Sequence, residues 1–477
     1  ISKQFTKYKN NECSKGIVHK RVKGFENVKS MLITRYLTTK NLLIFSSIIS
    51  SNLILADLSE RILDMSMDES RHSFFIGDVK EALNQHPEAL LQNSLVAQQA
   101  NQVSIVESEL RPTMYFQANS KSPPLDSESD SVFQSLQQKN TSSIDQTLVV
   151  EQLLTDFGQT KNRVYQQKEI LNSGKSVGLT EKSKLALRML DSCFNTAVFA
   201  LLLEVASASV DRHQEITNLI EIRVDSGRAP GRELSRSSAR LAEAKAKKLQ
   251  ISSKLSEAES KFHSLLPNKK VCKRFPITNF LIKLEESDAV SLAKTDNNEI
   301  RSAKFKIRSL EKQLKSVQQA KYPLITAELR ADKYDISNSE DYNLVGAVKV
   351  NWNLYQGKKR RIQEQNTREE IRSATYQTQA LERNIESLVV SNLAELKQST
   401  EKLEAFKDSY RANFKSREQL GAQFFAANIS LLDLLQSERD YLEAAESLIL
   451  NTKQVRMAEH LHMFYTGRLN LYLQIKI

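Results

Sequence analysis

Two sequence blocks of matched length constrain this chain more than its composition does. In the first, Arg111-Pro112 ends a helical stretch, two runs with strand character follow, and Thr155-Asp156-Phe157-Gly158 opens a long helical run. In the second, Tyr322-Pro323 and Leu354-Tyr355-Gln356-Gly357 occupy the same places. Residues 158–226 and 358–426 then read as uninterrupted helices of about 69 residues, roughly 100 Å each at 1.5 Å per residue. About 33 incoming and 35 returning residues flank each long helix, so two half-length helices stacked end to end match one long one. The spacing predicts a mainly α chain with four β-strands and an internal duplication, built as a hollow, elongated body rather than a compact enzyme.

Composition supports long elements. Twelve Gly and eight Pro in 477 residues are too few for the loops of several ordinary domains, and no proline follows Pro323, as an unbroken helix requires. The formal charge of +11 resembles a nucleic-acid signal until it is located. Residues 1–56 hold ten Lys/Arg against Glu12 and Glu26, which leaves only +3 on the remainder. A phosphate-binding surface needs its cations in the folded part, so nucleic acid is not expected as a partner.

The leader itself has the pattern of an export signal. Arg35 and Lys40 supply the positive segment, Asn41 to Leu55 the apolar core, and Ala56-Asp57 a cleavage point. The apolar run is shorter than the ~20 residues that span a bilayer. Residues 1–30 are expected to lie upstream of the true start. The expected organisation is a signal peptide at 31–56, a first structural repeat at 57–266, a connector at 267–288, a second repeat at 289–469 and a short tail at 470–477. Cys13 precedes the mature start, so only Cys193 and Cys272 remain, and a single bridge between them is left open. No Cys occupies the first mature position, which argues against an N-terminal lipid anchor.

Residues 78–110 read as one amphipathic helix. Met114 to Ser120 and Ser143 to Leu154 form a first strand pair around a polar loop, Lys121 to Ser142; Leu324 to Tyr334 and Tyr342 to Tyr355 form a second around Asp335 to Asp341. The returning helices carry seven-residue periodicity at Leu234, Leu241, Lys248, Leu255 and Phe262, and at Leu434, Tyr441, Leu448 and Val455, which signals coiled-coil packing. The second long helix repeats in steps of four and three through Ile385, Val389, Asn392, Leu396, Ser399, Leu403, Phe406 and Tyr410. Its polar members Asn392 and Ser399 are either register devices or residues facing a wet interior. Four strands cannot close a barrel alone, and their open edges predict either pairing in a soluble domain or pooling among several chains.

Taken in order, these pieces resemble the TolC-type outer-membrane channel family of Gram-negative bacteria across Asp78 to Leu469. The matching segments are Ala82-Leu83-Asn84-Gln85-His86-Pro87, Leu110-Arg111-Pro112, Asp156-Phe157-Gly158, Tyr355-Gln356-Gly357, Leu431-Leu432-Asp433-Leu434-Leu435 and Tyr465-Thr466-Gly467-Arg468-Leu469. The resemblance implies a homotrimer with a 12-stranded barrel in outer-membrane lipid and a periplasmic coiled-coil tunnel. It implies an exit duct for a tripartite efflux pump or a type I secretion system, joined to a periplasmic adaptor and an inner-membrane ABC or RND transporter. The missing lipid anchor leans toward the secretion branch. No cofactor, metal or catalytic residue is implied.

The resemblance also assigns residues. The periplasmic entrance falls at two tips, Val224 to Leu234 with Gly227 and Arg228, and Phe424 to Leu435 with Asn428 and Ile429. Asp433 retains one acidic ring and Glu233 matches the acid of the first tip, whereas the family's closing Tyr, Arg and second Asp fall on Phe424, Ile429 and Gln436. Arg228, Arg232, Arg236 and Arg240 recur every four residues and offer a substitute, pairing with Asp433, Glu438 or Asp440 across the entrance or meeting an acidic adaptor surface. Asp156, Gly158, Trp352 and Gly357 mark the junction of barrel and helices, with Trp352, the only tryptophan, expected as an interface anchor. The alternative is a coiled-coil scaffold without a pore. Asp156-Phe157-Gly158 lacks the other kinase segments, and Gly174-Lys175-Ser176 lacks its upstream glycine, so neither carries nucleotide chemistry.

Overall fold

The computed structural model describes residues 58–121, 143–276, 285–333, 342–426 and 429–476. The chain divides at Met65, and of the N-terminal unit only residues 58–65 are described. The expected export signal and both hairpin loops lie outside the described residues. The larger unit, Ser66–Ile477, carries the repeats.

Its first elements correct the sequence reading. Residues 78–110 are two helices, α1 (Glu69–Gln85) and α2 (Pro87–Ser108). Pro87 has no amide hydrogen to continue α1 and instead starts α2, where the His86 Nδ1 accepts from the Glu88 amide at 3.3 Å. The incoming helix of the second repeat is also divided, into α5 (Glu286–Asp296) and α6 (Asn298–Gln319). Asn297 caps α6 through its Oδ1 and donates from Nδ2 to the Tyr465 carbonyl at 2.9 Å. Gly467 lies against this break, where a Cβ would strike the Asp296 carbonyl. The terminal Tyr465-Thr466-Gly467-Arg468-Leu469 motif is therefore a packing joint between the last helix and the second incoming one.

The long helices are α3 (Gln159–Asp225) and α7 (Lys359–Phe425), 67 residues each, and each returns through a 35-residue helix, α4 (Gly231–Leu265) and α8 (Leu431–Tyr465). A four-residue helix, α9 (Leu469–Tyr472), begins the tail. In α8 the seam residues Leu434, Tyr441, Leu448 and Val455 are all buried. The polar seam positions of α7 are buried too: Asn392 Nδ2 donates to the Ala458 carbonyl at 3.3 Å, and Asn451 Nδ2 of α8 donates to the Ser399 carbonyl at 2.9 Å. Each bond fits one axial setting of α7 against α8, which favours the register reading over the wet one. Cys193 of α3 and Cys272 of the connector form a disulfide, S–S 2.08 Å, with Phe194 and Phe275 packed beside it.

Equal length does not give α3 and α7 equal surroundings. Within the chain α3 packs on α2, α4, α6 and α8, while α7 packs on α8, α6 and α5. Tyr376 and Ile362 of α7 are left exposed. One flank of the second repeat is open.

The strands β1 (Thr113–Lys121), β2 (Ser143–Thr155), β3 (Leu324–Lys333) and β4 (Tyr342–Asn351) form one antiparallel sheet in that order. β4 stops at Asn351, four residues short of the expected Tyr355. The register aligns Phe116, Leu148, Ala331 and Leu344 in one row and Met114, Val150, Leu329 and Gly346 in the next, so one face is apolar across four strands. The other face carries rows such as Gln117, Thr147, Asp332, Asn343 and Thr113, Glu151, Glu328, Ala347. Burial is inverted relative to a water-soluble sheet. Leu344 and Val348 are 62% and 65% exposed, whereas Asp332 and Thr326 are 4% and 9% exposed. On the polar face Thr147 donates to Asp332 at 2.8 Å, Arg330 pairs with Asp332 at 2.9 Å and Lys349 pairs with Glu328.

Candidate functional site

The long helices separate two specialised ends by roughly 100 Å. At the sheet end, Asp156 turns the chain from β2 into α3: its carboxylate accepts from the Gly158 amide at 2.9 Å and the Thr160 amide at 2.6 Å, supplying acceptors to the helix start. Phe157 and Gly158 both take left-handed backbone, φ 57° and 90°. That conformation costs a phenylalanine on the order of 1 kcal/mol or more, and the ring packs 5.0 Å from Tyr322, centroid to centroid. Gly357, φ 63°, makes the corresponding turn before α7. Trp352 follows β4 directly, keeps the parity of the apolar face, and donates from Nε1 to the Lys321 carbonyl at 3.1 Å. Leu354 and Tyr355 beside it are strongly exposed. The four expected junction residues thus converge on one level, where strands become helices.

At the other end α3 closes with Gly227 in left-handed backbone, φ 70°; the Arg228 amide donates to the Arg223 carbonyl at 2.7 Å and the Gly227 amide to the Val224 carbonyl at 2.9 Å. The second tip runs into α8 through Ser430, whose hydroxyl accepts from the Asp433 amide at 3.2 Å and meets the Asp433 carboxylate at 2.8 Å. Asn428 lies outside the described residues. Asp433 is exposed and Glu233 half-buried. Two of the positions that depart from the family's closing set enter an apolar core: Phe424 is buried with Ile216, Ile220, Leu431, Leu434 and Leu435, and Ile429 packs against them. Arg223 stacks 4.5 Å above the Phe424 ring and donates to its carbonyl at 2.9 Å. Gln436 is spent within α8, donating to Asp440 at 2.7 Å.

Within the single chain the arginine stripe is largely unpaired. Arg228, Arg232, Arg236 and Arg240 are exposed, and among the described residues the one intrachain ion pair of the set joins Arg240 to Glu243 at 2.6 Å. Glu438 is taken elsewhere. It is buried two turns above the tip, where Arg417 Nε donates to Oε2 at 2.7 Å and Arg212 Nε to Oε1 at 3.2 Å. Arg417 also lies 4.5 Å over the Tyr441 ring, whose hydroxyl meets that of Tyr410 at 3.1 Å. Gly421 makes room for the cluster, since a Cβ there would approach Arg212 Nη2 to 2.5 Å. The triad joins α3, α7 and α8, and the sequence reading missed it. The signal was present: Arg417 stands seven residues after Tyr410 and seven before Phe424, and Glu438 seven after Leu431, so opposite charges occupy seam positions on adjacent helices.

With both ends described, the class of fold is defined: a long antiparallel helical body joined to four barrel-type strands, as in the TolC-type outer-membrane channels. No family model and no curated protein matches the sequence. Among solved structures the chain is similar to CusC, described as forming a transmembrane channel, at 12% identity over 84% of this chain and 93% of that one, TM-score 0.72. It is similar to the outer membrane protein VceC of Vibrio cholerae at 12% identity, 83% and 96% coverage, TM-score 0.69. The CmeC outer membrane channel of Campylobacter jejuni matches at 13% identity, 82% and 85% coverage, TM-score 0.68.

Proposed function

We propose that this protein is a passive outer-membrane exit duct of a tripartite export system. Three copies pool their hairpins into a closed 12-stranded barrel, and their helices continue it as a periplasmic tunnel. The inverted sheet carries this reading. Its apolar face suits lipid, its polar face suits a water-filled lumen, and β1 and β4 each leave an edge unpaired in the single chain. Strands of 9 to 13 residues are also close to the ~9–11 that cross a bilayer at a tilt. The open flank of α7 is where the next copy's helices complete the wall.

A periplasmic adaptor and an inner-membrane ABC or RND transporter are the partners of this arrangement, reached through the tips, and the transporter selects the cargo. Efflux of small compounds and type I secretion both fit such a duct. The test is mass and conductance together: detergent-solubilised protein is expected to have three-copy mass, to fractionate with outer membrane and to open steps of ion current in a planar bilayer. A stable monomer in detergent-free buffer would sink the duct and favour the pore-less coiled-coil scaffold.

A further inference from the structure

The junction holds a basic run that the duct itself does not require. Lys358-Lys359-Arg360-Arg361 opens α7 immediately after the Gly357 turn, and Lys321 and Lys161 stand beside it at the ends of α6 and α3. These elements meet at one level: Gln318 Nε2 of α6 donates to Glu364 of α7 at 2.9 Å, and Asn162 of α3 donates to Gln319 of α6 at 2.5 Å. Lys358, Lys359, Arg361, Lys321 and Lys161 are exposed, and among the described residues no carboxylate lies within ion-pair distance of these cations. The nearby acids are already used, Glu109 by Arg163, Glu107 by Lys168 and Glu364 by Arg368.

A solvated helix face is a poor explanation for the run. Cations in a first helical turn face the positive end of the helix dipole, and α7, unlike α3 with its Asp156 carboxylate, has no acid in its first turn and no side-chain cap to offset them. The placement weakens the start of α7, and negative charge from outside the chain would offset it. The neighbours indicate where that charge sits. Trp352, Leu354 and Tyr355 are exposed within seven residues of the run and continue the apolar face of the sheet to its helical edge. Amphipathic rings at that edge sit at headgroup depth, with the cations one step further toward water, at the level of lipid phosphates.

We infer that this collar binds the anionic phospholipid headgroups of the leaflet on the helical side of the membrane, setting the depth at which the barrel sits. The inference rests on the outer-membrane reading above. Its occupant is the lipid surface, because the cations follow a membrane-facing apolar face rather than lining an enclosed pocket.

The single tryptophan makes the collar directly observable. The full chain is reconstituted in phosphatidylcholine vesicles containing phosphatidylglycerol, with brominated acyl chains on one lipid or the other at matched mole fraction, and quenching of Trp352 fluorescence is read. Brominated phosphatidylglycerol is expected to quench about fivefold more efficiently per mole than brominated phosphatidylcholine. The combined variant K358Q/K359Q/R360Q/R361Q is expected to quench equally with both, while R228Q/R232Q/R236Q, which removes exposed cations from the far tip, keeps the preference. Neutralising the run removes unfavourable helix-end charge, so the variant is expected to fold, which circular dichroism checks. Equal quenching by the two lipids in the unmodified protein, or an unchanged preference in the four-Gln variant, overturns the collar and leaves the duct intact. Absence of quenching by either lipid removes Trp352 from the membrane and overturns the duct with it.

Discussion

Sheet and helical body place the same residue types at opposite addresses. Leu448 of α8 is fully buried in a coiled-coil seam, while Leu344 of β4 is 62% exposed; Asp332 of β3 is buried, while Asp433 at the tip is exposed. On the proposed reading one chain obeys two solvents. In the helical body water is outside and burial of apolar surface holds the seams, at roughly 25 cal/mol per Å². In the sheet the apolar side is exposed, and backbone pairing between strands supplies the order that a packed core supplies elsewhere. The polar triad of Arg212, Glu438 and Arg417 adds a second lesson, since a charged cluster in the helical body is held by complete pairing of the acid rather than by exposure.

The largest effect is expected at that triad. Glu438→Gln takes the paired carboxylate from buried Arg417 and one of two from Arg212, which keeps Glu215 at 3.2 Å, at a cost of about 3–5 kcal/mol. Denaturant unfolding checks it, and Arg417→Met in the Glu438→Gln background should recover part of the loss. If Glu438→Gln unfolds at an unchanged denaturant midpoint, the cluster is not a structural bond between α3, α7 and α8.

The contrast between the two solvents is tested by a matched pair. Leu448→Ala is expected to cost about 2–5 kcal/mol in any medium. Val348→Arg is expected to cost about 2–4 kcal/mol if it falls at bilayer mid-depth, and far less when the protein is unfolded from a non-lipid state. Equal, small effects of Val348→Arg with and without lipid would mean that the apolar sheet face meets protein instead.

Acid should weaken the helical body through its buried histidines. His460 is enclosed by Phe194, Tyr472 and Arg456, and its Nδ1 hydrogen-bonds the Arg456 carbonyl at 2.7 Å. Burial pushes its pKa down to about 4 from 6.5. The unfolded chain therefore binds the proton more tightly, so the contribution is complete above pH 6.5 and is lost as pH falls toward 4. The shift corresponds to about 3 kcal/mol. Burial also lowers the pKa of His72, His213 and His462, so all four act in the same direction. His460→Phe should flatten the pH dependence of the denaturant midpoint in this window, and an unaltered slope would assign acid sensitivity to the other three.

The fold was legible where local rules run unopposed. Long helices announce themselves through periodicity and the lack of proline, and strands through alternation, so both long helices ended within a residue of expectation. The breaks at His86-Pro87 and Asn297 were harder to read, because the apolar pattern continues across them and only Pro87 in the first and the Asn297 cap in the second mark the interruption. The Cys193–Cys272 bond spans 79 residues, a distance at which spacing alone specifies no partner. At the tip, the chemistry of Phe424 and Ile429 was visible as a departure, but the apolar core they enter needs Ile216 and Ile220 from the other repeat. The triad was concealed by an expectation that charges lie on surfaces.

The smallest effect on stability is expected from the arginine stripe, and that makes it the sharpest probe of what the tips meet. Arg232 and Arg236 are exposed and make no ion pair within the described residues, so Arg232→Ala and Arg236→Ala should each change the unfolding free energy by no more than about 0.5 kcal/mol. Their positions in the first two turns of α4 place them at the level of Asp433 in α8, which begins at the same height in the duplicated block. In a closed assembly these charges contribute to the field at the entrance even though they bond nothing in their own chain. Single-channel conductance and its salt dependence should shift in the double variant while the denaturant midpoint stays fixed. If conductance and binding to an acidic adaptor surface are both unchanged, the stripe is a solvated face.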